Sequence, residues 1–449
     1  MINNKDMRAL PSFDALLNSE EGKALVKEIG EAKAKYALHT ALCSARNTLL
    51  QGEQKDISYT ALADNARAVW DLSVSPKRVI NASGIALHTN LGRAPLAKRA
   101  IDAVINTARY SALEYDLERG ERGVRGKDIE KLICTITNTE AAMVVNNNAA
   151  ALLLALTALC RDKGTIVSRG ELVEIGGSFR VSDITALGSC LIEVGTTNRT
   201  HLQDYSKAVN EAGAVLKVHT SNYTVNGFTA SVSAKELAKL CHTHDIPLIY
   251  DVGSGAIMDK SEYPFCEPTV VDAVKDEADI ITFSADKLLG AAQGGIICGK
   301  RKYIDIMRAH PLARAVRIDK LALAAIGATL ELYQDNATAK LEIPVLQMLT
   351  ADDDKLLNRA RLLQKALGNI KSEIIPTARP VGGGSVPCVE LTSYCVAVAT
   401  LLPKDTADAL RKSAIPIIAL VRDNKLCLDV ACIFDDEIDI VAQEVKTAL

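Results

Sequence analysis

Ile280-Ile281-Thr282-Phe283-Ser284-Ala285-Asp286-Lys287 is an apolar run of strand length that leads into a lysine. A second run, Leu248-Ile249-Tyr250-Asp251, ends on a carboxylate. A third, Val144-Val145-Asn146-Asn147-Asn148-Ala149-Ala150, passes through a polar turn into a long apolar helix. Working outward, strand-like runs lie at Ala141–Val145, Gly164–Val167, Cys190–Val194, Val215–Val218, Ile246–Tyr250, Asp279–Phe283 and Gly295–Cys298. Amphipathic stretches such as Ser233–Cys241 separate some of them. Apolar strands alternating with helices specify a largely parallel sheet covered on both faces. The expected fold class is therefore α/β, with a largely parallel sheet. Ligands of such sheets sit beyond the carboxyl ends of the strands. Asp251, Asn146–Asn148 and Lys287 all fall there.

Those three ends carry the parts that pyridoxal phosphate (PLP) chemistry requires. A lysine amine, here Lys287, bonds to the cofactor aldehyde. A carboxylate, here Asp251, pairs with the pyridine nitrogen and keeps the ring electron-accepting. A helix N-terminus, here at Asn146, Asn147 and Asn148, offers free N–H groups to a phosphate dianion. Each part alone has a plainer reading: a helix cap, a solvated lysine, an ordinary turn. Together, in this order on this framework, they point to PLP.

Residues 1–75 read as helical. Leu10-Pro11-Ser12-Phe13-Asp14 has the form of a helix start, and Leu25, Val26, Ile29 and Ala32 recur at helical spacing. The region carries nine basic and ten acidic residues, so it is not a basic arm. Residues 76–325 hold the strand–helix alternation. Residues 326–449 read as a small α+β domain, reached through a helix at Leu321–Tyr333. It would hold helices at Asp353–Leu367 and Thr406–Lys412, a loop at Gly382–Gly384, and strands at Val389–Leu391, Cys395–Leu401, Ile415–Val421 and Lys425–Val430.

The formal net charge of −3 excludes a globally basic, nucleic-acid-coating surface, so any RNA contact must be local. The 11 cysteines are scattered, with no C-x-x-C pair, which disfavours a disulfide framework or a metal site and suits a reducing cytoplasm. No apolar run is long enough to suggest a membrane span.

Longer strings carry a resemblance. Arg78-Val-Ile-Asn-Ala-Ser-Gly-Ile-Ala-Leu-His88-Thr-Asn-Leu-Gly-Arg93, Glu114-Tyr-Asp-Leu-Glu-Arg119-Gly-Glu-Arg122-Gly-Val-Arg125-Gly, Ser168-Arg169-Gly-Glu-Leu-Val-Glu174-Ile-Gly-Gly-Ser-Phe-Arg180, Glu193-Val-Gly-Thr-Thr-Asn-Arg199-Thr, Lys217-Val-His219-Thr-Ser-Asn-Tyr and His310-Pro-Leu-Ala-Arg314-Ala-Val-Arg317-Ile-Asp-Lys320 resemble the signatures of the bacterial selenocysteine synthase family. The likeness runs from about residue 10 to the C-terminus.

The resemblance implies a fold-type-I PLP-dependent transferase, built on a mixed, mostly parallel seven-stranded sheet, with Lys287 as its imine-forming lysine. It implies that seryl-tRNA(Sec) is converted to selenocysteinyl-tRNA(Sec) through an aminoacrylyl intermediate, with selenophosphate as the selenium donor. It makes residues 1–75 a tRNA-binding domain, and the assembly a homo-oligomer built from dimers, a decamer in the family. Arg93, Arg314 and Arg317 match the family's anion-binding positions, and guanidinium groups suit oxyanions. Arg314 and Arg317 would share a face if that segment is helical. Ser284 and Asp286 flank the lysine, and His219 either stacks on the cofactor or orients the substrate. The loop after Lys287 departs from the family pattern: Ala285 replaces a glycine, Ala291-Ala292 replaces Gly-Pro, and Gly294-Gly295 replaces Ala-Gly. A lost proline and an added methyl predict a change of loop geometry there. The competing reading is a divergent PLP-dependent α,β-eliminating lyase acting on a small amino acid or amino-sugar phosphate, without tRNA.

Overall fold

The computed structural model describes residues 9–51, 56–70, 76–160, 162–175 and 179–449. Gly176–Ser178 of the third signature, and the ends of the 1–75 segment, lie outside the described residues. The chain divides into two compact units, Met1–Arg78 and Val79–Leu449.

The first unit holds helices α1 (Phe13–Asn18), α2 (Glu20–Ile29), α3 (Glu31–Leu50) and α4 (Tyr59–Trp70). Ser12 caps α1 by accepting from the Ala15 amide, and Ser19 caps α2 by accepting from Gly22. Gly22 is required by a close approach: a Cβ there would sit 2.2 Å from the Leu16 carbonyl oxygen. Ala34, Ala37, Ala41 and Ala45 recur on one face of α3 and share a buried cluster with Leu38 of the same helix and with Leu16, Leu25 and Leu62 of the other three.

The second unit is built on seven strands: β1 (Ala141–Val145), β2 (Gly164–Ser168), β3 (Cys190–Val194), β4 (Ala212–Val218), β5 (Leu248–Gly253), β6 (Ile280–Ser284) and β7 (Gly295–Gly299). Their order across the sheet is β1-β7-β6-β5-β4-β2-β3. All neighbours are parallel except β7, which runs antiparallel to both β6 and β1. Alternate residues feed opposite cores: Val215, Leu248 and Ile281 pack on one face, Leu216, Ile249 and Ile280 on the other. Helix α5 (Asn148–Cys160) leaves the C-terminal end of β1 and buries Leu152, Leu154 and Ala155.

Helix α6 (Lys320–Leu332) leads toward the C-terminal part, where α7 (Asp353–Leu367) covers a four-stranded antiparallel sheet. Its strands are β8 (Ser372–Gly382), β9 (Ser385–Val398), β10 (Leu420–Arg422) and β11 (Lys425–Asp429), in the order β8-β9-β11-β10. The two expected strands Val389–Leu391 and Cys395–Leu401 are one continuous strand, β9. Its partner β8 was not expected, because Pro376, Pro380 and scattered polar residues give it no strand signature. Ile80-Asn81 pairs in parallel with Ile417-Ile418, so the start of this unit is stitched to its end.

The segment holding Arg314 and Arg317 also differs from expectation. Its helix covers only Leu312–Ala315. The Val316 carbonyl accepts from the Asn146 amide at 3.0 Å, and Arg317 forms a bridge with Val145. Pairing with the sheet edge takes the chain out of the helix before Arg317.

Candidate active site

Lys287 lies in the turn that follows β6, and only 5% of it is exposed. The turn is pinned by backbone hydrogen bonds from Leu288 to Ser254, from Ala285 to Gly294 and from Ala291 to Ala285, all at 2.9–3.0 Å. These hold the loop without the family's proline. Ala285 is fully buried and is not among the residues with positive φ, so its methyl is accommodated. Gly295 is fixed by contact: a Cβ on it would lie 2.2 Å from the Asn147 carbonyl oxygen, so β7 can pass the asparagine turn only as glycine.

Asp251, near the end of β5, is 2% exposed. Its Oδ1 accepts from Asn148 Nδ2 at 2.8 Å and from Thr282 Oγ1 at 3.0 Å. Burial pushes its pKa up from the usual carboxylate value; the Asn148 and Thr282 hydrogen bonds, and the Lys287 charge, oppose the rise. Burial likewise pushes the Lys287 pKa down, against the pull of Asp251, and nearby Arg93 adds to the fall. A buried lysine with a lowered pKa keeps a larger fraction of the free amine, the form that attacks a carbonyl.

One cavity of about 260 Å³ is lined by Lys287, Asp251, Asn147, Asn148, His219, Ser284, Asp286 and Arg93, among others. Sequence-predicted residues from five separate segments therefore meet. Asn147 Oδ1 accepts from the Ala150 amide and caps α5. Asn148 reaches Asp251 with its side chain, while its Oδ1 is buried without a hydrogen-bond partner. Asn146 is spent on the scaffold, its carbonyl accepting from Gln293 Nε2. Arg93 has φ +63°, a left-handed conformation uncommon for arginine, and donates to Asp286 at 2.5 Å.

Arg314 and Arg317 line a different cavity, of about 520 Å³, with Arg122, Arg125, Arg308 and Glu114. Glu114 pairs there with Arg317 at 3.2 Å and with Arg122 and Arg125 at 3.4 Å. Within one chain, then, Arg93 joins the Lys287 cavity and the other two arginines do not.

Sequence reasoning missed Thr282 and Glu267. Thr282 stands two residues before Ser284 on β6, and strand alternation put it on the same face. Glu267, 3% exposed, meets His219 Nε2 at 3.1 Å. Within Cys266-Glu267-Pro268 it carried no sign of burial. Also missed was the Glu171–Lys217 pair, at 2.9 Å and nearly buried, which holds the start of the His219 loop through the Val218 amide.

The donor set fits PLP. Both side-chain hydrogen bonds to Asp251 come from neutral groups, which leaves its charge for a protonated ring nitrogen, and Lys287 opens on the same space. The family model described as L-seryl-tRNA selenium transferase matches residues 79–434. The chain belongs to that family. An L-seryl-tRNA(Sec) selenium transferase of Geobacter sulfurreducens is 43% identical, over 95% of this chain and 96% of the relative. One from Clostridium botulinum (strain Loch Maree) is 42% identical, over 99% of this chain and 98% of its own length. Among solved structures, D-glucosaminate-6-phosphate ammonia-lyase covers 84% of this chain and 96% of its own at a TM-score of 0.59 and 20% identity, a likeness of fold. The fold-type-I architecture expected from the sequence is thus borne out.

Proposed function

We propose that this family member converts seryl-tRNA(Sec) to selenocysteinyl-tRNA(Sec), with PLP as cofactor and selenophosphate as selenium donor. The observation that carries this reading is the cavity joining buried Lys287 to buried Asp251 in a chain similar, over nearly its whole length, to transferases of that name. Lys287 would hold the cofactor through Nζ, Asp251 through its pyridine nitrogen, and the start of α5 at Asn147–Ala149 through its phosphate. When bound, PLP supplies an electron sink for the charge left when an amino acid loses its α-proton. Lys287 Nζ, as a free amine lining the same cavity, would be the base that accepts that proton. The fixed donors around Asp251 keep its charge oriented, so no reorganisation is needed during the reaction.

Arg93, Arg314 and Arg317 would bind the anionic selenium donor. In a homo-oligomer built from dimers, Arg314 and Arg317 would serve a site completed by a second copy. Residues 1–75 would contact tRNA, 76–325 hold the cofactor and 326–449 form the small domain. The reaction belongs in the cytoplasm, where charged tRNA is made.

The test is direct. Purified protein is expected to show the visible absorption of a lysine-bound PLP, and Lys287→Ala to lose it. A wild type that binds no added PLP overturns the cofactor assignment. A gel shift comparing seryl-tRNA(Sec) with bulk seryl-tRNA decides the substrate: equal or absent binding would exclude the specific tRNA and favour the lyase reading.

A further inference from the structure

His219 is held at two points. Its backbone amide donates to the Asp251 carbonyl at 2.9 Å, and its ring Nε2 meets Glu267 Oε1 at 3.1 Å. His219 lines the Lys287 cavity, and Glu267 is not among the residues that line it. Glu267 itself has little freedom. Pro268 follows it and restricts its backbone. Thr269 and Asp272 then form a capping box that starts the helix Val270–Lys275, and the Val270 amide donates to the Ala256 carbonyl. A carboxylate only 3% exposed costs several kcal/mol to bury unless it is well paired. Fold stability alone would be served as well by an apolar side chain there.

We propose that Glu267 is a positioning residue: it fixes the ring plane and tautomer of His219 on the wall of the Lys287 cavity, against the cofactor. In this arrangement Nε2–H donates to the carboxylate and Nδ1 keeps its lone pair. Carboxylates orient metal-binding histidines by the same device, through the ring nitrogen away from the metal. Because the His219 amide is tied to Asp251, the ring and the carboxylate that would hold the pyridine nitrogen form one rigid frame. The inference rests on the cofactor reading above.

The test uses full-length protein and added PLP, read by visible circular dichroism of the bound cofactor and by its dissociation constant. Glu267→Ala is expected to change the sign or intensity of the visible dichroism. It should also weaken PLP binding about tenfold, the lower end of what one hydrogen bond to a charged group is worth, since the bond acts on the cofactor only through the ring. Glu267→Gln keeps an acceptor for Nε2–H and is expected to restore most of both. In a His219→Ala background, Glu267→Ala should add nothing. An E267A protein with wild-type dichroism and affinity overturns the proposal, as does an effect that persists undiminished without His219. If E267A fails to fold, E267Q decides: a loss as large as that of H219A is the refuting result. Failure of the cofactor reading looks different, since the wild type itself would then show no visible band.

Discussion

Asp251→Asn should move two observables in opposite directions. The wild-type carboxylate is 2% exposed and draws both its side-chain hydrogen bonds from neutral groups, Asn148 and Thr282. An amide keeps the acceptor oxygen for both donors and removes the buried charge, so the cofactor-free protein is expected to gain stability. The gain depends on pH. Burial raises the Asp251 pKa, so between 3.8 and its folded value the native state holds a proton that the unfolded state has lost. Wild-type stability therefore falls as pH rises through that window, and the advantage of the variant grows from acid toward neutral pH. PLP binding is expected to weaken, because the amide cannot pair with a protonated ring nitrogen. A hydrogen bond to a charged group is worth about 1.5–3 kcal/mol, which is roughly 10- to 150-fold in affinity. Urea denaturation of the cofactor-free proteins at several pH values, with PLP titration followed by absorbance, measures both. A variant less stable without cofactor and unchanged in PLP affinity would refute the reasoning.

Lys287→Met should also stabilise the cofactor-free protein. The lowered Lys287 pKa means a penalty that is full below the folded-state pKa and relieved as pH rises from there toward 10.5, so the gain should shrink over that range in thermal melts. Thr282→Val removes a donor from Asp251 with little change of volume; a loss of about 1.5–3 kcal/mol is expected in urea titrations at neutral pH. Gly295→Ala forces β7 away from the Asn147 carbonyl and should cost about 1–3 kcal/mol, with weaker PLP binding in the same preparation.

The parallel framework was legible because most of its strands are buried on both faces and read as apolar runs, while the edge strand Cys190–Val194 is partly exposed but still apolar enough to read. Ala141–Val145 and Cys190–Val194 run as their apolar stretches foretold, and the other five shift by three residues or fewer at either end. Asp353–Leu367 was legible for a similar reason, with an acidic first turn and regular apolar spacing. Strand β8 was not, since an antiparallel strand with one wet face and two prolines looks like a loop. The Lys287, Asp251 and Asn148 cluster could be read because each residue ends an apolar run at the same edge of the sheet. Glu267 and Thr282 could not be assigned partners, because pairing is settled by which strand ends meet. Arg314 and Arg317 were read as neighbours on a helix; the sheet edge at Val145 captures the second one instead.

The placement of β7 bears on how the protein comes into being. β1 is made early and stays an unpaired apolar edge until β7, far later in the chain, slots between it and β6. The bond from Asn148 to Asp251 spans 103 residues, and that from Arg93 to Asp286 spans 193. Contacts so distant in sequence form slowly and only after long loops have closed. A nascent chain halted before residue 299 would expose that edge and would tend to aggregate. The cofactor cannot rescue it, since PLP could stabilise only a chain whose sheet has already closed.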